Sequence, residues 1–440
     1  MTTHEISLIT PKWILTLEND ELLTNHSLVI EQNIIKDILP SEQAHLEYCD
    51  AQEYILENQL IMPGFVNCHG HAAMSLFKGL ADDLPLMTWL EDHIWPAEGQ
   101  WVSPEFVADG TKLAIAEMLK SGTTSFSDMY FFPEVAAEVA AQYGMRGTFY
   151  GPILDFPTPY GSGPDEYIEK IIHAHDTFKH HPLIDIGFGP HAPYTVSDEP
   201  IKKVRSLADQ LGMPIQIHLH ETEFEVADAI EKTGKRPSER LRDLGFWGPD
   251  VQAVHVTQAN EVDQHIFKEH NVHIIHCPES NLKLASGFCP VHELQTKHIN
   301  VALGTDGAAS NNDLDMQGEM HTAALLAKGV AQNASALPAI EAIKMATING
   351  AKALGKENEI GSLKVGKQAD IISFDFNTIY CAPVYDPVSH IVYSSSASQV
   401  DHVWVAGKLQ VQNKQLCHFN TSQLIEMAQG WADKICPKKD

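Results

Sequence analysis

Cysteine is scarce in this chain, and its few cysteines are not arranged for cross-linking. There are seven among 440 residues, an odd number, and no two of them form a CxxC pair. A small secreted protein held together by disulfides carries cysteines at high density and in even number, and a thiolate zinc site brings them together in pairs. We therefore expect reduced thiols and a cytoplasmic location.

Basic residues are also in short supply, with 30 lysines and arginines against 58 acidic residues and a formal net charge of −28. This balance argues against a nucleic-acid-binding surface, which needs clustered Lys and Arg. The N-terminal MTTHEISLIT has no basic segment before an apolar run, so we expect no secretory signal. No stretch approaches the roughly 20 apolar residues that span a bilayer, so we expect no membrane partner.

The middle of the chain is a long alternation of short apolar runs and helix-like segments. Between residues 61 and 359 there are eight such runs, which predicts an α/β fold of the (β/α)8 TIM-like barrel type. The runs are IMPGFVNCH, TTSFSDMY, GTFYGPIL, DIGFGPHA, PIQIHLH, VQAVHVT, VHIIHC and VALGTD. Residues 1–60 and 360–440 are rich in short strands, with hairpin turns expected at 31–33 and 407–408. We expect these chain ends to pair as one small discontinuous β-sandwich domain.

Ionisable side chains stand where several of these strands would reach the mouth of a barrel. His69 and His71 close the first run as an HxH pair, and alternate residues of a strand face the same side. In a chain with 24 histidines the pair alone is weak evidence. The alternative is two hydrogen-bonded polar residues at the end of a strand.

The fifth run offers two further histidines and a carboxylate. His218 and His220 share one face of the strand, so their spacing leaves open which of them would bind a metal ion. Glu221 comes next, where a carboxylate suits proton transfer better than metal binding. His255 ends the sixth run, and an isolated strand histidine is more often structural than catalytic. A functional role for His255 is favoured only because other ionisable residues stand at the ends of the neighbouring predicted strands.

Asp306 ends the last run, where it could bind a metal ion through one oxygen and accept a proton through the other. The alternative is an Asp that begins a turn before Gly307. The fourth run, DIGFGPHA, contains no lysine, so it lacks the modified lysine that bridges two metals in binuclear barrels. Three neutral imidazoles and one carboxylate suit a single Zn²⁺ that activates a water molecule, and the same ligand set also accepts iron or manganese. The pattern therefore predicts metal-dependent hydrolysis.

Four motifs closely resemble those of the amidohydrolase superfamily and, within it, the 5-methylthioadenosine/S-adenosylhomocysteine deaminases. They are PGFVNCHGH, HLHETEFE, HCPESNLKLASG and LGTDGAASNNDLDM. The HxH pair is shared by many superfamily members, whereas SNLKLASG together with TDGAASNN is much more specific. With GSLKVGKQADIISFD in the flanking β domain, the resemblance covers nearly the whole chain. It implies a zinc-dependent deaminase of adenine nucleosides with one Zn²⁺ per subunit, and a homo-oligomer such as a dimer.

Carried over position by position, the resemblance also implies roles for the candidate residues. The zinc ligands would be His69, His71, His218 and Asp306. His218 is therefore favoured over His220. Glu221 would protonate N1 of the purine ring, His255 would orient the attacking hydroxide, and Asp306 would pass the hydroxide proton to the departing amine. The nucleoside would contact Trp89, Glu98, His191, Glu221 and Ser310. Glu98 would accept the ribose hydroxyls.

One departure from the family concerns the substrate. Relatives that use S-adenosylhomocysteine hold its carboxylate with arginines near the third and fourth strands. Residues 147–203 of this chain contain no Arg, and Arg146 precedes the third strand. Because Arg is the preferred partner of a carboxylate, we expect 5′-methylthioadenosine to be a better substrate than S-adenosylhomocysteine, with adenosine as another poorer one. The run FYGPILDFPTPY could serve the methylthio group, or could be ordinary core and loop packing.

Two other kinds of protein share parts of this pattern. A deaminase of guanine-type or pterin rings, or a triazine chlorohydrolase, would have nearly the same zinc site. Glu98 favours a nucleoside, because a free base has no ribose for this carboxylate to bind. A non-catalytic barrel used in assembly would be expected to have lost metal ligands, and none is missing. The HxE…PCxxC signature of cytidine-type deaminases is absent, which excludes that zinc fold.

Overall fold

In the computed structural model, which describes residues 6–437, the chain forms two β-sheets and a set of surrounding helices. Before the barrel come β1 (Ile6–Leu15), β2 (Leu22–Leu23), β3 (His26–Glu31), β4 (Ile34–Pro40) and β5 (Gln52–Pro63). The barrel strands are β6 (Phe65–Asn67), β7 (Thr123–Asp128), β8 (Arg146–Ile153), β9 (Ile184–Pro190), β10 (Ile215–Leu219), β11 (Val251–His255), β12 (His273–His276) and β13 (Val301–Leu303). After the barrel come β14 (Ile371–Asp375), β15 (Val400–Val405), β16 (Lys408–Gln412) and β17 (Gln415–Leu416).

Helices connect these strands and cover the outside of the barrel. Up to the fourth barrel strand they are α1 (Ser41–Glu47), α2 (Leu86–Thr88), α3 (Trp95–Trp101), α4 (Pro104–Lys120), α5 (Pro133–Tyr143) and α6 (Pro164–Phe178). Around the second half of the barrel they are α7 (Asp198–Leu211), α8 (Glu223–Thr233), α9 (Pro237–Asp243), α10 (Glu261–Glu269), α11 (Pro278–Lys283) and α12 (Val291–Thr296). The rest are α13 (Met316–Ala331), α14 (Ala339–Met345), α15 (Ile348–Ala353), α16 (Pro387–Tyr393) and α17 (Thr421–Ile435). Short 3₁₀ helices span Ala72–Phe77 and Ala397–Gln399, and a π-helical turn, Trp89–Ile94, joins α2 to α3.

The eight predicted runs all form strands of one parallel sheet, in the order β6 to β13 along the chain. Two hydrogen bonds bring its first and last strands together: Cys68 N–H donates to Leu303 O at 2.9 Å, and Asp306 N–H donates to His69 O at 3.0 Å. This contact is so close that a Cβ on Gly304 would lie 2.8 Å from the backbone nitrogen of His69. The predicted (β/α)8 barrel is therefore confirmed.

The two chain ends share one nine-stranded sheet in the order β17-β16-β15-β14-β5-β1-β3-β4, with β2 paired to β1. The ends meet where β5 pairs antiparallel with β14, from Ile371 opposite Pro63 to Asp375 opposite Gln59. An apolar core beside this sheet joins side chains of its strands, including Leu28 and Trp404. The first predicted hairpin turns at residues 32–33, and the second turns at 406–407, one residue earlier than predicted.

The boundaries of the two predicted domains differ slightly from the structural elements. The boundary after residue 60 falls inside β5, which continues in the chain-end sheet to Pro63. The C-terminal α17 packs against α4 of the barrel. The Trp431 ring contacts Phe106 edge-on, and its Nε1–H donates to Asp109 at 2.9 Å. We keep the division into a barrel and a chain-end domain as a proposal.

The cysteines agree with the expectation of reduced thiols. The seven cysteines are free thiols, and four of them are buried, namely Cys68, Cys277, Cys289 and Cys381. Within residues 6–437, no helix combines the length and the apolar character needed to cross a membrane.

Candidate active site

The ionisable residues predicted from the strand ends meet at the C-terminal mouth of the barrel. His218 lies within β10, and Asp306 lies three residues beyond β13. His69 and His71 lie just after β6, where the chain has left the strand and the 3₁₀ helix begins. Their rings converge at a centroid distance of 4.9 Å. The expected convergence of the HxH pair is therefore present, although these two residues are not on an extended strand.

Potential ligand atoms lie close together at this mouth in two groups that share His69, namely His69, His71 and Asp306, and His69, His218 and His255. His218 Nε2 lies 3.2 Å from His69 Nε2, and Asp306 Oδ1 lies 3.2 Å from His71 Nε2 and 3.5 Å from His69 Nε2. Zinc bonds of about 2.0–2.1 Å in a tetrahedral arrangement place neighbouring ligand atoms about 3.3 Å apart. These three distances are therefore those expected between neighbouring ligands of a zinc-sized ion.

The opposite nitrogen of each imidazole is already used as a donor. The Nδ1–H of His71 donates to Met129 O at 2.6 Å, and that of His218 donates to His191 O at 2.8 Å. His69 Nδ1 lies 2.7 Å from Gln216 Oε1. The lone pairs of the buried Nε2 atoms of His69 and His218 then face each other, and burial lowers the pKa of both rings. A cation between them is the partner that satisfies both lone pairs, so the residues fit a metal ion.

His220, the competing metal ligand, points away from this space. Its Nε2 accepts from the backbone N–H of Ser238 at 3.3 Å, and its Nδ1 lies 3.6 Å from Asp263 Oδ2. β10 ends at Leu219, and the backbone of His220 has a positive φ of 52°. The change of direction after Leu219 therefore puts His220 between the barrel and its outer helices.

The carboxylate of Asp306 is oriented by its neighbours. Its Oδ1 accepts from Gly307 N–H at 2.7 Å and faces the imidazoles, whereas its Oδ2 accepts from the hydroxyls of Ser280 at 2.6 Å and Ser310 at 2.8 Å. Ser310 was expected on the wall of the substrate pocket. It lies behind Asp306 instead, because it follows in the tight turn that begins at Gly307, where its hydroxyl also reaches Gly307 O.

Glu221 and His255 face each other next to the candidate metal ligands. His255 Nε2 lies 3.8 Å from Glu221 Oε2, and His255 Nδ1–H donates to Asn281 Oδ1 at 2.9 Å. Burial, followed by the negative charge of Asp306, raises the pKa of Glu221 to about 8. Burial also lowers the pKa of His255. At neutral pH this pair is a protonated carboxyl group beside a neutral imidazole, so it contains a proton donor.

A cavity opens from these residues. Besides Glu221, three predicted substrate-binding residues line it, namely Trp89, Glu98 and His191. The carboxylate of Glu98 accepts from Tyr130 Oη at 2.8 Å. Burial raises the pKa of Glu98 to about 7, although the hydrogen bond from Tyr130 opposes this shift. The buried indole N–H of Trp89 finds no hydrogen-bond partner within the described residues. This part of the cavity therefore offers both a donor and an acceptor to a polar ligand.

Much of the remaining cavity wall is apolar. Its apolar side chains include Leu86, Leu90, Ile94, Trp95, Phe131, Leu154, Phe156 and Pro157. Among residues 6–437, no Lys or Arg lines the cavity. Arg146 is bound elsewhere, because its guanidinium pairs with Asp370 through bonds of 2.9 and 3.1 Å. The cavity therefore suits a ligand with an uncharged apolar part.

The backbone is strained where the strands end at the site. His255, Val256 and Asp306 have positive φ angles of 74°, 51° and 63°. Such conformations cost about 1–3 kcal/mol each for residues with a side chain, most of all for a β-branched one. They persist because the packed barrel holds them, and strain of this kind concentrates at functional sites.

Several residues that support the site were not identified from the sequence. Ser280 and Asn281 belong to the SNLKLASG motif, which was used only to recognise a resemblance. Gln216 stands two residues before His218, so strand periodicity could have placed its polar side chain inside the barrel. Tyr130 follows β7 as an aromatic residue in a loop, and nothing in the sequence pairs it with Glu98.

Comparison with known proteins shows where the chain belongs. A family model described as amidohydrolase family matches residues 60–410. A 5-methylthioadenosine/S-adenosylhomocysteine deaminase from Saccharophagus degradans is 55% identical over 430 residues, which cover 97% of this chain and 96% of the relative. A 5′-deoxyadenosine deaminase from Methanosarcina mazei is 41% identical and covers 97% of this chain and 98% of its own. The crystal structure of an adenosine deaminase from Xanthomonas campestris with bound zinc is 44% identical, with a TM-score of 0.95 and 98% coverage of both chains. The protein belongs to the amidohydrolase family.

Proposed function

We propose that this protein is a zinc-dependent aminohydrolase that converts 5′-methylthioadenosine to 5′-methylthioinosine and ammonia. The observation that carries the proposal is a pair of potential metal-binding groups that share His69, beside a buried Glu221. One group is His69, His71 and Asp306, and the other is His69, His218 and His255. The names of the relatives from Saccharophagus degradans and Methanosarcina mazei support an adenine nucleoside as the substrate.

The metal site would be formed by side chains of three barrel segments. His69, His71, His218 and Asp306 would hold the zinc, which matches the zinc in the related adenosine deaminase of Xanthomonas campestris. When bound, the zinc would supply an activated water molecule at neutral pH.

Glu221 would act as the general acid. Because its pKa is raised to about 8, it carries a proton at pH 7 and can donate it to N1 of the purine as the water oxygen adds to C6. The negative charge that would otherwise build up on the ring is thereby neutralised. His255, held by Asn281 and 3.8 Å from Glu221, would orient the attacking water.

Asp306 would move the second proton. Its carboxylate would accept a proton from the water and deliver it to the amino group, so that the C6–N bond breaks with ammonia as the leaving group. The serine hydroxyls on Oδ2 keep Oδ1 aimed at the reaction space. A positioned acid or base of this kind contributes roughly 10²–10⁴-fold to the rate.

The polar wall of the cavity would bind the nucleoside. Glu98 would accept the ribose hydroxyls, because its carboxylate lines the cavity and its one side-chain hydrogen-bond donor among the described residues is Tyr130. Trp89 would offer its unpaired indole N–H, and the His191 ring would contact the nucleoside. His191 would also support the metal site through its carbonyl oxygen, which accepts from His218.

The apolar wall would receive the 5′ substituent. A methylthio group needs no charged partner, and Leu154, Phe156 and Pro157 offer it an apolar surface. The carboxylate of S-adenosylhomocysteine would find no Arg or Lys on the walls formed by the described residues. This difference favours 5′-methylthioadenosine over S-adenosylhomocysteine.

We also propose that the protein acts in the cytoplasm as a homo-oligomer. Its seven free cysteines suit a reducing compartment. The oligomer is an inference from the family resemblance alone. Sedimentation of the purified protein would test it, and a mass equal to that of one chain would contradict it.

Ammonia release from 5′-methylthioadenosine by the zinc-loaded protein tests the proposed reaction. We expect stoichiometric ammonia and a product with the absorbance of a hypoxanthine nucleoside. His69→Ala is the matched control, because it removes one ligand and should lose the zinc in a metal analysis. No ammonia from the zinc-loaded protein with any adenine nucleoside would contradict the proposal.

A further inference from the structure

A line of buried polar side chains runs below His69 inside the barrel. Gln216 of β10, Gln252 of β11 and Tyr150 of β8 are each 0% exposed. The inside of such a barrel is usually filled by branched apolar residues. Burying a side-chain amide is unfavourable unless its hydrogen bonds are made. The contacts of these three residues therefore call for a specific explanation.

Both glutamine amides have their hydrogen bonds made. Gln216 Nε2–H donates to Cys68 O at 2.9 Å and to Gln252 Oε1 at 2.7 Å, and Gln216 Oε1 lies 2.7 Å from His69 Nδ1. Gln252 Nε2–H donates to Ala353 O at 2.9 Å and to Tyr150 Oη at 2.7 Å. A chain of hydrogen bonds thus connects His69 with α15 below the barrel.

The direction of this chain is fixed by two backbone carbonyl groups. A carbonyl oxygen only accepts, so the side-chain atom of Gln252 next to Ala353 O must be its nitrogen. The Oε1 of Gln252 then faces Gln216. Gln216 must therefore direct its Nε2 toward both Gln252 Oε1 and Cys68 O. Gln216 consequently turns its oxygen toward His69. The Nδ1 of His69 must therefore carry the proton, and its Nε2 must carry the lone pair.

This tautomer is the one that a metal ion requires. In the other tautomer, Nε2 would carry a hydrogen pointing at the space between His69, His218 and Asp306. The Nδ1 atoms of His71 and His218 donate to backbone carbonyl groups. These acceptors do not depend on which side chains Met129 and His191 carry. His69 differs from them, because a side-chain amide alone sets its tautomer.

We propose that Gln216 is a positioning residue that holds His69 as a metal ligand, and that Gln252 holds Gln216 in the required orientation. This inference rests on the metal site of the proposed function and adds two residues to it. Neither glutamine lines the cavity formed by the described residues, so both act through His69 and not on the substrate.

Zinc affinity in the absence of substrate tests the proposal. Gln216→Leu removes the acceptor for His69, and we expect zinc binding to weaken by roughly 10–100-fold in competition with a chromophoric chelator. Gln252→Leu leaves Cys68 O to orient Gln216, so we expect a smaller loss of about three- to tenfold. The matched control is Gln317→Leu, which removes another buried amide that donates to Ile391 O and Ser395 Oγ, far along the chain from this network. We expect its zinc affinity to stay within about twofold of the unmodified protein.

Two results would overturn the proposal. One is a folded Gln216→Leu variant whose zinc affinity is unchanged, and the other is an equal loss of affinity in Gln317→Leu. If Gln216→Leu does not fold, zinc affinity is measured in Gln252→Leu instead. Unchanged zinc affinity in that variant overturns the proposal. The measurement is independent of turnover, so a protein that binds zinc in this pattern but deaminates no nucleoside would refute the proposed function and leave this inference intact.

Discussion

At the scale of single residues, burial and neighbouring charges give three carboxyl groups of one cavity different properties. Burial raises the pKa of Glu221 to about 8 and that of Glu98 to about 7. Burial would also raise the pKa of Asp306, but the adjacent imidazoles of His69 and His71 outweigh this and hold that pKa well below its ordinary value. Carboxyl groups with separated pKa values are suited to different roles. Here Glu221 is suited to donate a proton and Asp306 to bind a cation.

Replacing the proposed general acid should separate catalysis from metal binding. In Glu221→Gln the proton for N1 is lost while the four ligand side chains remain, so we expect kcat to fall by roughly 10²–10⁴-fold. Zinc content should stay at one ion per chain in a metal analysis. Full turnover in this variant would exclude the role of Glu221.

The pKa of Glu98 predicts a pH dependence of substrate binding. Because this pKa is raised to about 7, the carboxylate is ionised above that pH and protonated below it. The ionised form accepts both ribose hydroxyls, so we expect KM for 5′-methylthioadenosine to rise as the pH falls below about 7. Steady-state kinetics across this range would measure the effect.

Two variants provide controls for this prediction. Glu98→Gln is neutral at every pH, so its KM should be high and independent of pH in this range. Tyr130→Phe removes a hydrogen bond that lowers the pKa of Glu98, so the rise in KM should begin at a higher pH. A KM that does not change with pH in the unmodified protein would contradict the role assigned to Glu98.

At the scale of elements, strand periodicity located the barrel but not the direction of every side chain. The eight apolar runs are strands because each is short, apolar and bounded by polar residues. The same periodicity predicted that His218 and His220 point to the same side of the strand. In the structure β10 ends at Leu219, and the chain turns His220 outward. The positive φ of His220 is set by the packing around the strand end, so no local pattern could have predicted it.

The pocket residues depend on contacts between distant segments. Glu98 lies in α3, behind the π-helical turn that begins at Trp89, and it becomes a site residue only because this segment covers the barrel mouth. Trp89 and Glu98 were predicted as site residues from the family resemblance and not from a sequence pattern. Ser310 was predicted in the same way, but the turn after Gly307 places it behind Asp306. Turn geometry at this level is not encoded in hydrophobic periodicity.

The junction of the first and last barrel strands should be sensitive to one methyl group. A Cβ at Gly304 would lie 2.8 Å from both the backbone nitrogen and the Cβ of His69. We expect Gly304→Ala to displace His69, to weaken zinc binding and to lower the free energy of unfolding by roughly 1–3 kcal/mol. Urea denaturation and zinc competition would measure the two effects.

A glycine in α17 provides the control for this substitution. A Cβ at Gly430 would meet no atom within 4 Å, and the residue lies inside a helix. Gly430→Ala should therefore leave zinc binding unchanged and stabilise the protein by up to about 1 kcal/mol. If Gly304→Ala binds zinc as tightly as Gly430→Ala, the strand junction does not position His69.

At the scale of the whole molecule, charge and shape together restrict the substrate. The net charge is −28, and the cavity contains the carboxyl groups of Glu98, Glu221 and Asp306 without a lysine or arginine on the walls described. The carboxylate of S-adenosylhomocysteine would meet no Lys or Arg as a charged donor on these walls. An uncharged nucleoside with an apolar 5′ group meets an apolar wall instead. We therefore expect 5′-methylthioadenosine to be a better substrate than S-adenosylhomocysteine.

The central claim is best tested by kcat/KM of the zinc-loaded protein for ammonia release from 5′-methylthioadenosine, S-adenosylhomocysteine, adenosine and guanine, with chloride release from a chlorotriazine measured in parallel. We predict the highest value for 5′-methylthioadenosine, with S-adenosylhomocysteine at least about tenfold lower, because a missing charge-assisted hydrogen bond costs roughly 1.5–3 kcal/mol. Similar values for these two nucleosides would contradict the specificity argued from the missing arginines. Activity on guanine or the chlorotriazine, with none on any adenine nucleoside, would contradict the claim that this site is a nucleoside deaminase.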